Sequence, residues 1–211
     1  MTMTKHLFPK LYIIMMVGIF AILPYANAGQ RISSQDAVAF IQALSDQAEP
    51  ILKSGTVKDK ERRILFADFI ENHFSFPKIA AFTLGREWRN IDEGQQENYV
   101  DIFKTYTILI NSARINDFNA ATIEVLGSQE SGKFDQLVKT LWIEQGMDNP
   151  VPVLWRVRLV DGTPKILDVA IAGLSMAQTQ RDEFQSVLSN SGFDGLTIQL
   201  ANKISQLQQN H

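Results

Sequence analysis

The chain has 211 residues, with 20 lysines and arginines against 23 aspartates and glutamates, and no cysteine. This slightly acidic balance excludes the basic surface with which proteins bind nucleic acid, and it disfavours tight adhesion to anionic lipid surfaces. Without cysteine the chain has no disulfides, no thiol catalysis and no thiolate metal site.

The first 28 residues have the layout of a secretory signal peptide. Lys5 and Lys10 precede an apolar run over residues 11–23, and Ala26-Asn27-Ala28 forms a small-residue cleavage site. The run is shorter than the roughly 20 residues of a membrane span, which favours cleavage over an uncleaved anchor. We therefore expect export and a single mature domain of residues 29–211. Removing two lysines and no acid changes the net charge from −3 to −5.

The first half of this domain is predicted to be helical. Ser34 can cap a helix to about residue 53, a second helix spans about 57–73, and Pro77 suits the first turn of a short helix through Phe82. Asp92 can cap a long helix to about residue 114. Apolar residues recur at helical spacing in the first and last of these helices, at Val38, Ile41, Leu44, Ala48 and Ile51 and at Tyr99, Ile102, Phe103, Tyr106 and Ile110.

The next part of the chain is predicted to form strands. Segments 121–126, 136–144, 151–160 and 165–172 are rich in β-branched and aromatic residues. Turn clusters separate them at 127–132 and 146–150, and Asp161-Gly162 is a two-residue hairpin signal. In the third segment apolar residues alternate with Arg156 and Arg158, which indicates one buried and one solvated face.

Two closing helices are predicted at about 176–188 and 193–207, the first with a capping box of Ser175 and Gln178. Helices followed by an antiparallel sheet and further helices indicate an α+β fold. We expect N-terminal helices, a four- to five-stranded curved antiparallel sheet and C-terminal helices. Helices on the concave side of such a sheet would enclose a cone-like apolar cavity.

The residues offer little catalytic chemistry. His73 is the only histidine inside the domain apart from the terminal His211, so there is no histidine pair for zinc and no catalytic triad. Ser175 is explained as a helix cap, and His73 lies at a predicted helix end. Asp168, in an otherwise apolar strand, is the one acid that could serve an enzyme, although it could also pair with Arg156 or Arg158. We predict no catalytic residue, no metal and no cofactor.

Four segments resemble the MlaC-type, or toluene-tolerance, family. The segment from Phe76 to Trp88 is similar to its Phe-x-x-Ile-Ala and Leu-Gly-x-x-Trp motifs, and residues 95–103 to its glutamine-then-phenylalanine helix. Asp168 to Ser175 resembles its Asp-Val-x-Ile-x-Gly-Val-Ser strand end, and residues 181–203 its closing helices. Two departures leave the hopanoid-associated HpnM branch open: Ile166-Leu167 where members often have Trp or Tyr, and Thr179-Gln180 where many have Asn-Tyr.

The resemblance implies a periplasmic carrier. Such proteins take up phospholipid from an outer-membrane lipoprotein complex and exchange it with an inner-membrane ABC transporter complex, which maintains membrane lipid asymmetry. We expect a monomer, which suits a protein that carries lipid between two membranes. Two alternatives are an enzyme on the same fold, which would need an unpaired Asp168, and a non-catalytic periplasmic adaptor or chaperone, which would have a solid core and an exposed apolar groove.

Apolar positions in the segments of resemblance are the candidates for lining a lipid cavity. Arg86 and Arg181 are candidates for binding near the headgroup or for docking a partner, with surface ion pairing as the alternative. The candidate lining residues, each of which could equally be ordinary core, are Ile79, Phe82, Trp88, Phe103, Tyr106, Trp155, Val169, Ile171, Leu174 and Phe184.

Overall fold

A computed structural model of the chain describes residues 31–52, 59–115, 121–144 and 149–209. The predicted signal peptide lies outside the described residues, so the boundary between residues 28 and 29 stays a prediction. Within the described ranges no helix combines the length and the apolar character needed to cross a membrane.

Four helices and one short turn form the first half of the fold. Helix α1 spans Ser34–Leu52, α2 spans Asp59–His73, α3 spans Phe76–Leu84 and α4 spans Glu93–Ala113, with a 3-10 turn at Glu87–Arg89. These bounds confirm the predicted helices to within a few residues where they are described.

Side-chain caps set the start of two of these helices. The Asp92 carboxylate accepts from the backbone N–H of Gln95, and the Gln95 side chain accepts from the backbone N–H of Asp92, which is the predicted cap in the form of a full capping box. In α1 the cap is Ser33 rather than the predicted Ser34, because the Asp36 N–H donates to the Ser33 hydroxyl at 3.0 Å.

A five-stranded antiparallel sheet follows, in the order β1-β2-β3-β4-β5. Its strands are β1 (Ala121–Ser131), β2 (Asp135–Glu144), β3 (Val151–Val160), β4 (Thr163–Ile171) and the short β5 (Leu174–Ser175). The β3–β4 hairpin turns at Asp161 and Gly162, both of positive φ, as the sequence predicts. The α+β class and the strand number are confirmed.

Strand β1 is longer than predicted. The cluster from Gly127 to Gly132 was expected to be a turn, yet β1 continues to Ser131 through a register shift between Val125 and Gly127. Gly127 adopts φ 138°, which a glycine accommodates readily, so the extra residue becomes a bulge inside the strand. A second register shift lies between Arg156 and Val157. Bulges of this kind bend a sheet and increase its twist.

The chain closes with α5 (Met176–Gln209), whose backbone is not helical at Gly192, with φ 67° and ψ −174°. The two predicted closing helices are therefore present, but a single residue separates them. Helix α5 packs antiparallel to α4 around this break, since Phe184 lies beside Phe103 and Tyr106 and Phe193 lies beside Tyr99.

The core has two hydrophobic clusters. The helical cluster joins α2, α3, α4 and α5 around residues such as Tyr99, Phe103 and Leu196. The sheet cluster packs α1 against the inner sheet face, through residues such as Ile41 and Val157. On the outer face of the sheet, Asp135 pairs with both Arg156 and Arg158, so the predicted polar face of β3 is present but only partly exposed.

Candidate functional site

A cavity of about 750 Å³ lies between the two hydrophobic clusters. Its volume falls within the roughly 300–1,000 Å³ typical of small-molecule sites. Most of its lining is aliphatic or aromatic and comes from all three parts of the fold, the N-terminal helices, the sheet and α5. The apolar lining residues are Ile41, Leu44, Ala48, Leu52, Phe66, Phe69, Ile70, Phe74, Phe76, Ile79, Phe103, Tyr106, Ile110, Ile123, Trp142, Val151, Val153, Trp155, Leu167, Val169, Ile171, Met176 and Ala177.

Regular spacing within the elements aims these side chains at the cavity. In α1, Ile41, Leu44, Ala48 and Leu52 recur every three or four residues and so share one helix face. In β3, residues 151, 153 and 155 alternate with outward-facing positions, as a strand requires. The Trp155 indole donates to the Thr140 hydroxyl at 3.0 Å, which satisfies its polar edge beside an apolar space.

The cavity opens to solvent where α4 ends and α5 begins. Of its described lining residues only Arg114, Met176, Thr179 and Glu183 are exposed, and we call these four the mouth. They lie at the same end because α4 and α5 run antiparallel. Burial raises the pKa of the neighbouring Tyr106 hydroxyl, the Glu183 carboxylate raises it further, and Arg114 opposes that rise. Three of the four mouth residues are thus polar or charged, while most of the remaining lining is apolar.

Asp168 also lines the cavity, but its carboxylate is engaged in holding the start of α5. It accepts from the Ser175 hydroxyl at 2.6 Å and from the Ala177 N–H at 3.0 Å, while Ser175 in turn accepts from the Gln178 N–H. The predicted pairing of Asp168 with Arg156 or Arg158 is wrong, since both arginines bind Asp135 instead. An acid satisfied in this way has a structural role, which counts against Asp168 as a general acid or base.

A family model described as "MlaC protein" matches residues 42–202. The chain belongs to the MlaC family. This confirms the resemblance drawn from the sequence motifs; the hopanoid-associated branch remains an open alternative within it.

A solved structure similar to this MlaC-family protein is the phospholipid-binding protein from Ralstonia solanacearum in complex with a phospholipid. The two chains share 22% sequence identity and superpose with a TM-score of 0.67 over 84% of this chain and 99% of the other. At that identity the likeness shows a common fold.

Six of the ten predicted lining residues surround the cavity of this MlaC-family protein. They come from α3, α4, β3 and β4, and the structure brings them together around the cavity, while their role in lipid binding stays a prediction. These six are Ile79, Phe103, Tyr106, Trp155, Val169 and Ile171.

The other four predicted residues lie elsewhere in the fold. Phe184 is 4% exposed and packs edge-on against Phe103, so it belongs to the helical cluster. Trp88 is half-buried against the same cluster. Phe82 and Leu174 are 41% and 67% exposed, in the last turn of α3 and in β5.

The two predicted headgroup arginines do not line the cavity. The Arg181 guanidinium donates to the Phe82 carbonyl oxygen at 2.8 Å and lies 4.8 Å above the Phe82 ring. It therefore stabilises the C-terminal end of α3, where a cation is favourable. Arg86 is exposed beside the same helix end. The basic residue that does line the cavity is Arg114. The sequence analysis used Arg114 only to mark the end of a predicted helix and so did not identify it as a site residue.

Proposed function

We propose that this MlaC-family protein is a periplasmic phospholipid carrier that holds the acyl chains of its cargo in the 750 Å³ cavity. The observation that carries the proposal is an apolar interior joined to solvent by a polar mouth. Each methylene kept from water contributes about 0.8 kcal/mol, so an apolar enclosure can hold acyl chains without specific polar contacts. The phospholipid bound to the Ralstonia solanacearum protein of the same fold supports this choice of cargo.

The proposed carrier exchanges its lipid with an inner-membrane ABC transporter complex and an outer-membrane lipoprotein complex, as a monomer, and so maintains membrane lipid asymmetry. Such a carrier needs no catalytic residue, because its cargo leaves chemically unchanged. The presence of an internal apolar cavity favours a carrier over an adaptor or chaperone, for which we expected a solid core. Hopanoid is the alternative cargo. Lipid extraction from the purified protein shows which of the two lipids is bound.

The first test is native mass spectrometry of the mature protein purified from cells, with lipid extraction from the same sample. We expect an adduct that is released as phospholipid. Release of hopanoid would redirect the cargo. A clean apo mass, together with no uptake from labelled vesicles, would contradict the carrier function.

A cavity-filling variant tests whether the lipid occupies this space. Ala48 is buried in α1 and lines the cavity, so Ala48→Phe would place a ring where acyl methylenes should lie. Excluding two methylenes costs about 1.6 kcal/mol, or about tenfold in affinity. The measurement is uptake of fluorescent phospholipid from vesicles by the delipidated protein.

The matched control is Ala43→Phe, on the exposed face of the same helix. We expect it to take up lipid like the wild type and to melt slightly below it, because phenylalanine is a weaker helix former than alanine. Ala48→Phe should melt at or above the temperature of the delipidated wild type, because its ring fills empty space. Equal uptake by Ala48→Phe and Ala43→Phe would place the lipid outside this cavity.

A further inference from the structure

The charged groups of the cavity are concentrated at its mouth. Among the described lining residues only Arg114, Asp168 and Glu183 carry charge. The Asp168 carboxylate is bound to Ser175 and to the backbone of Ala177. This leaves one guanidinium and one carboxylate that face the cavity and remain exposed to solvent.

These two opposite charges act on the same small region. Both lie within electrostatic range of the Tyr106 hydroxyl, where the carboxylate raises the pKa and the guanidinium lowers it. Over the described part of the chain they form no salt bridge with each other. Glu183 accepts a hydrogen bond from the Gln180 side chain at 3.1 Å, which fixes its position. Arg114 makes no side-chain hydrogen bond or ion pair with the described residues, so its donors are available.

Two hydroxyl groups precede Arg114 in the part of the cavity lining that α4 contributes. Thr107 lines the cavity two helical turns before Arg114, and its buried hydroxyl oxygen has no hydrogen-bond partner. A buried polar group without a partner costs free energy unless a ligand satisfies it. Along α4 the lining therefore runs from the apolar Phe103, through the hydroxyls of Tyr106 and Thr107 and the side chains of Ile110 and Asn111, to the exposed Arg114. A phospholipid has the same order, from acyl chains to esters to headgroup.

We propose that the mouth is a headgroup site selective for zwitterionic phospholipid, that is, a phosphodiester bearing an ammonium group. Arg114 binds the phosphate, for which a guanidinium offers several donors in one plane. Glu183 attracts the ammonium group, and the Thr107 hydroxyl donates to an ester carbonyl of the glycerol backbone. An anionic headgroup without the ammonium leaves Glu183 uncompensated. This inference rests on the proposed carrier function and adds its substrate class.

Competitive loading measures the selectivity. Delipidated protein is incubated with vesicles of equal parts phosphatidylethanolamine and phosphatidylglycerol with identical acyl chains, and the bound lipids are quantified by mass spectrometry. We expect the wild type to be enriched in the zwitterionic lipid by about fivefold, the size expected of one exposed ion pair. The enrichment should shrink at high ionic strength, because both charges are exposed.

The Glu183→Gln variant should load the two lipids within about twofold of their vesicle ratio, because it lacks the charge that distinguishes them. Its matched control is Asp182→Asn, which removes the same charge from the neighbouring exposed residue outside the cavity lining. This control should keep the wild-type enrichment. Retained enrichment in Glu183→Gln would overturn the assignment of Glu183.

The Arg114→Gln variant tests the phosphate contact separately. We expect its uptake of both phospholipids to fall about fivefold relative to diacylglycerol with the same acyl chains, which has no phosphate. Arg89→Gln, at an exposed position away from the cavity, is the control. If the wild type loads both phospholipids in the vesicle ratio, or prefers the anionic one, the headgroup site is overturned and the carrier function stands. If it loads no lipid at all, both are overturned.

Discussion

Asp168 shows how a single residue that suggested chemistry serves the fold instead. Its carboxylate accepts two hydrogen bonds at the start of α5, where the helix dipole favours a negative charge. We expect Asp168→Ala to lower the free energy of unfolding by about 1–2 kcal/mol, the typical cost of losing an N-terminal cap. Urea denaturation of the mature protein measures this loss.

The control for Asp168→Ala is Asp182→Ala, an exposed acid of the same helix, for which we expect a change within about 0.5 kcal/mol. Phospholipid uptake should survive in both variants at temperatures where they stay folded. Loss of uptake in Asp168→Ala without loss of stability would give this carboxylate a direct role in the ligand site.

His73 carries a pH dependence with a definite sign. Burial lowers the pKa of its imidazole below 6.5, and the neighbouring Lys165 lowers it further. The Lys165 ammonium donates to the Asn72 carbonyl at 2.5 Å, so it supplies the cation at the end of α2, while the His73 ring packs edge-on to Phe69. The sequence analysis placed His73 at the C-terminal end of α2, where a cation is favourable. Lys165 supplies that cation instead.

Because the folded pKa of His73 lies below the unfolded value, the unfolded chain binds more protons once the pH falls below about 6.5. The stability contributed by neutral His73 is present above that pH and is lost as the pH falls through the lowered pKa. We expect His73→Gln to lose less stability than the wild type between pH 7.5 and pH 5, as measured by urea midpoints. Parallel losses in the two proteins would contradict this account of the imidazole.

At the scale of elements, Gly192 divides α5 into two helices. Its φ of 67° lies in the left-handed region, which a residue with a side chain adopts at a cost of roughly 1–3 kcal/mol. We expect Gly192→Ala to lower the free energy of unfolding by that amount, as measured by urea denaturation. The control is Gly94→Ala in the first turn of α4, where the backbone is helical and alanine should be neutral or slightly stabilising. Equal effects would mean that α5 can straighten without loss.

The order and type of the elements could be predicted from the sequence because local chemistry determines them. The Asp92 cap and the Asp161-Gly162 turn act within four residues, and both are found where expected. The turn predicted at Gly127 was wrong because a distant segment of the chain, and not the local sequence, determines the structure there. A glycine permits either a turn or a bulge, and pairing with β2, which lies later in the chain, decides between them.

The cavity lining was predictable only in part, because periodicity reports burial and not what a side chain is buried against. The α1 stripe of Ile41, Leu44 and Ala48 was visible in the sequence, yet nothing local distinguishes a residue facing a cavity from one facing another helix. Phe184 shows the converse, since it was assigned to the cavity and packs in the helical cluster. The partners of Asp168 and Arg181 depend on register and helix packing, which the sequence pattern does not contain.

At the scale of the whole molecule, both hydrophobic clusters contribute residues to the lining of the cavity. Phe69 and Phe74 contact both clusters, and the backbone of Ser75 bonds to Ile166 in β4, so the two clusters meet at the junction of α2 and α3. Away from that junction, lining residues of α1 and the sheet such as Leu44 and Val153 border the cavity. In the proposed carrier, acyl chains complete this core.

Removal of the lipid should therefore destabilise the whole domain. A ligand that binds only the folded state stabilises it by about 2.7 kcal/mol at a hundred times its dissociation constant. For a domain of this size that corresponds to a shift in Tm of roughly 5–10 °C. We expect scanning calorimetry to show a single transition that falls by this amount after delipidation and recovers on reloading. Ala48→Phe should show a smaller fall, because its ring fills part of the space that the lipid leaves. Equal melting of loaded and delipidated protein would mean that the clusters hold together without the ligand, and the lipid would then not be part of the core.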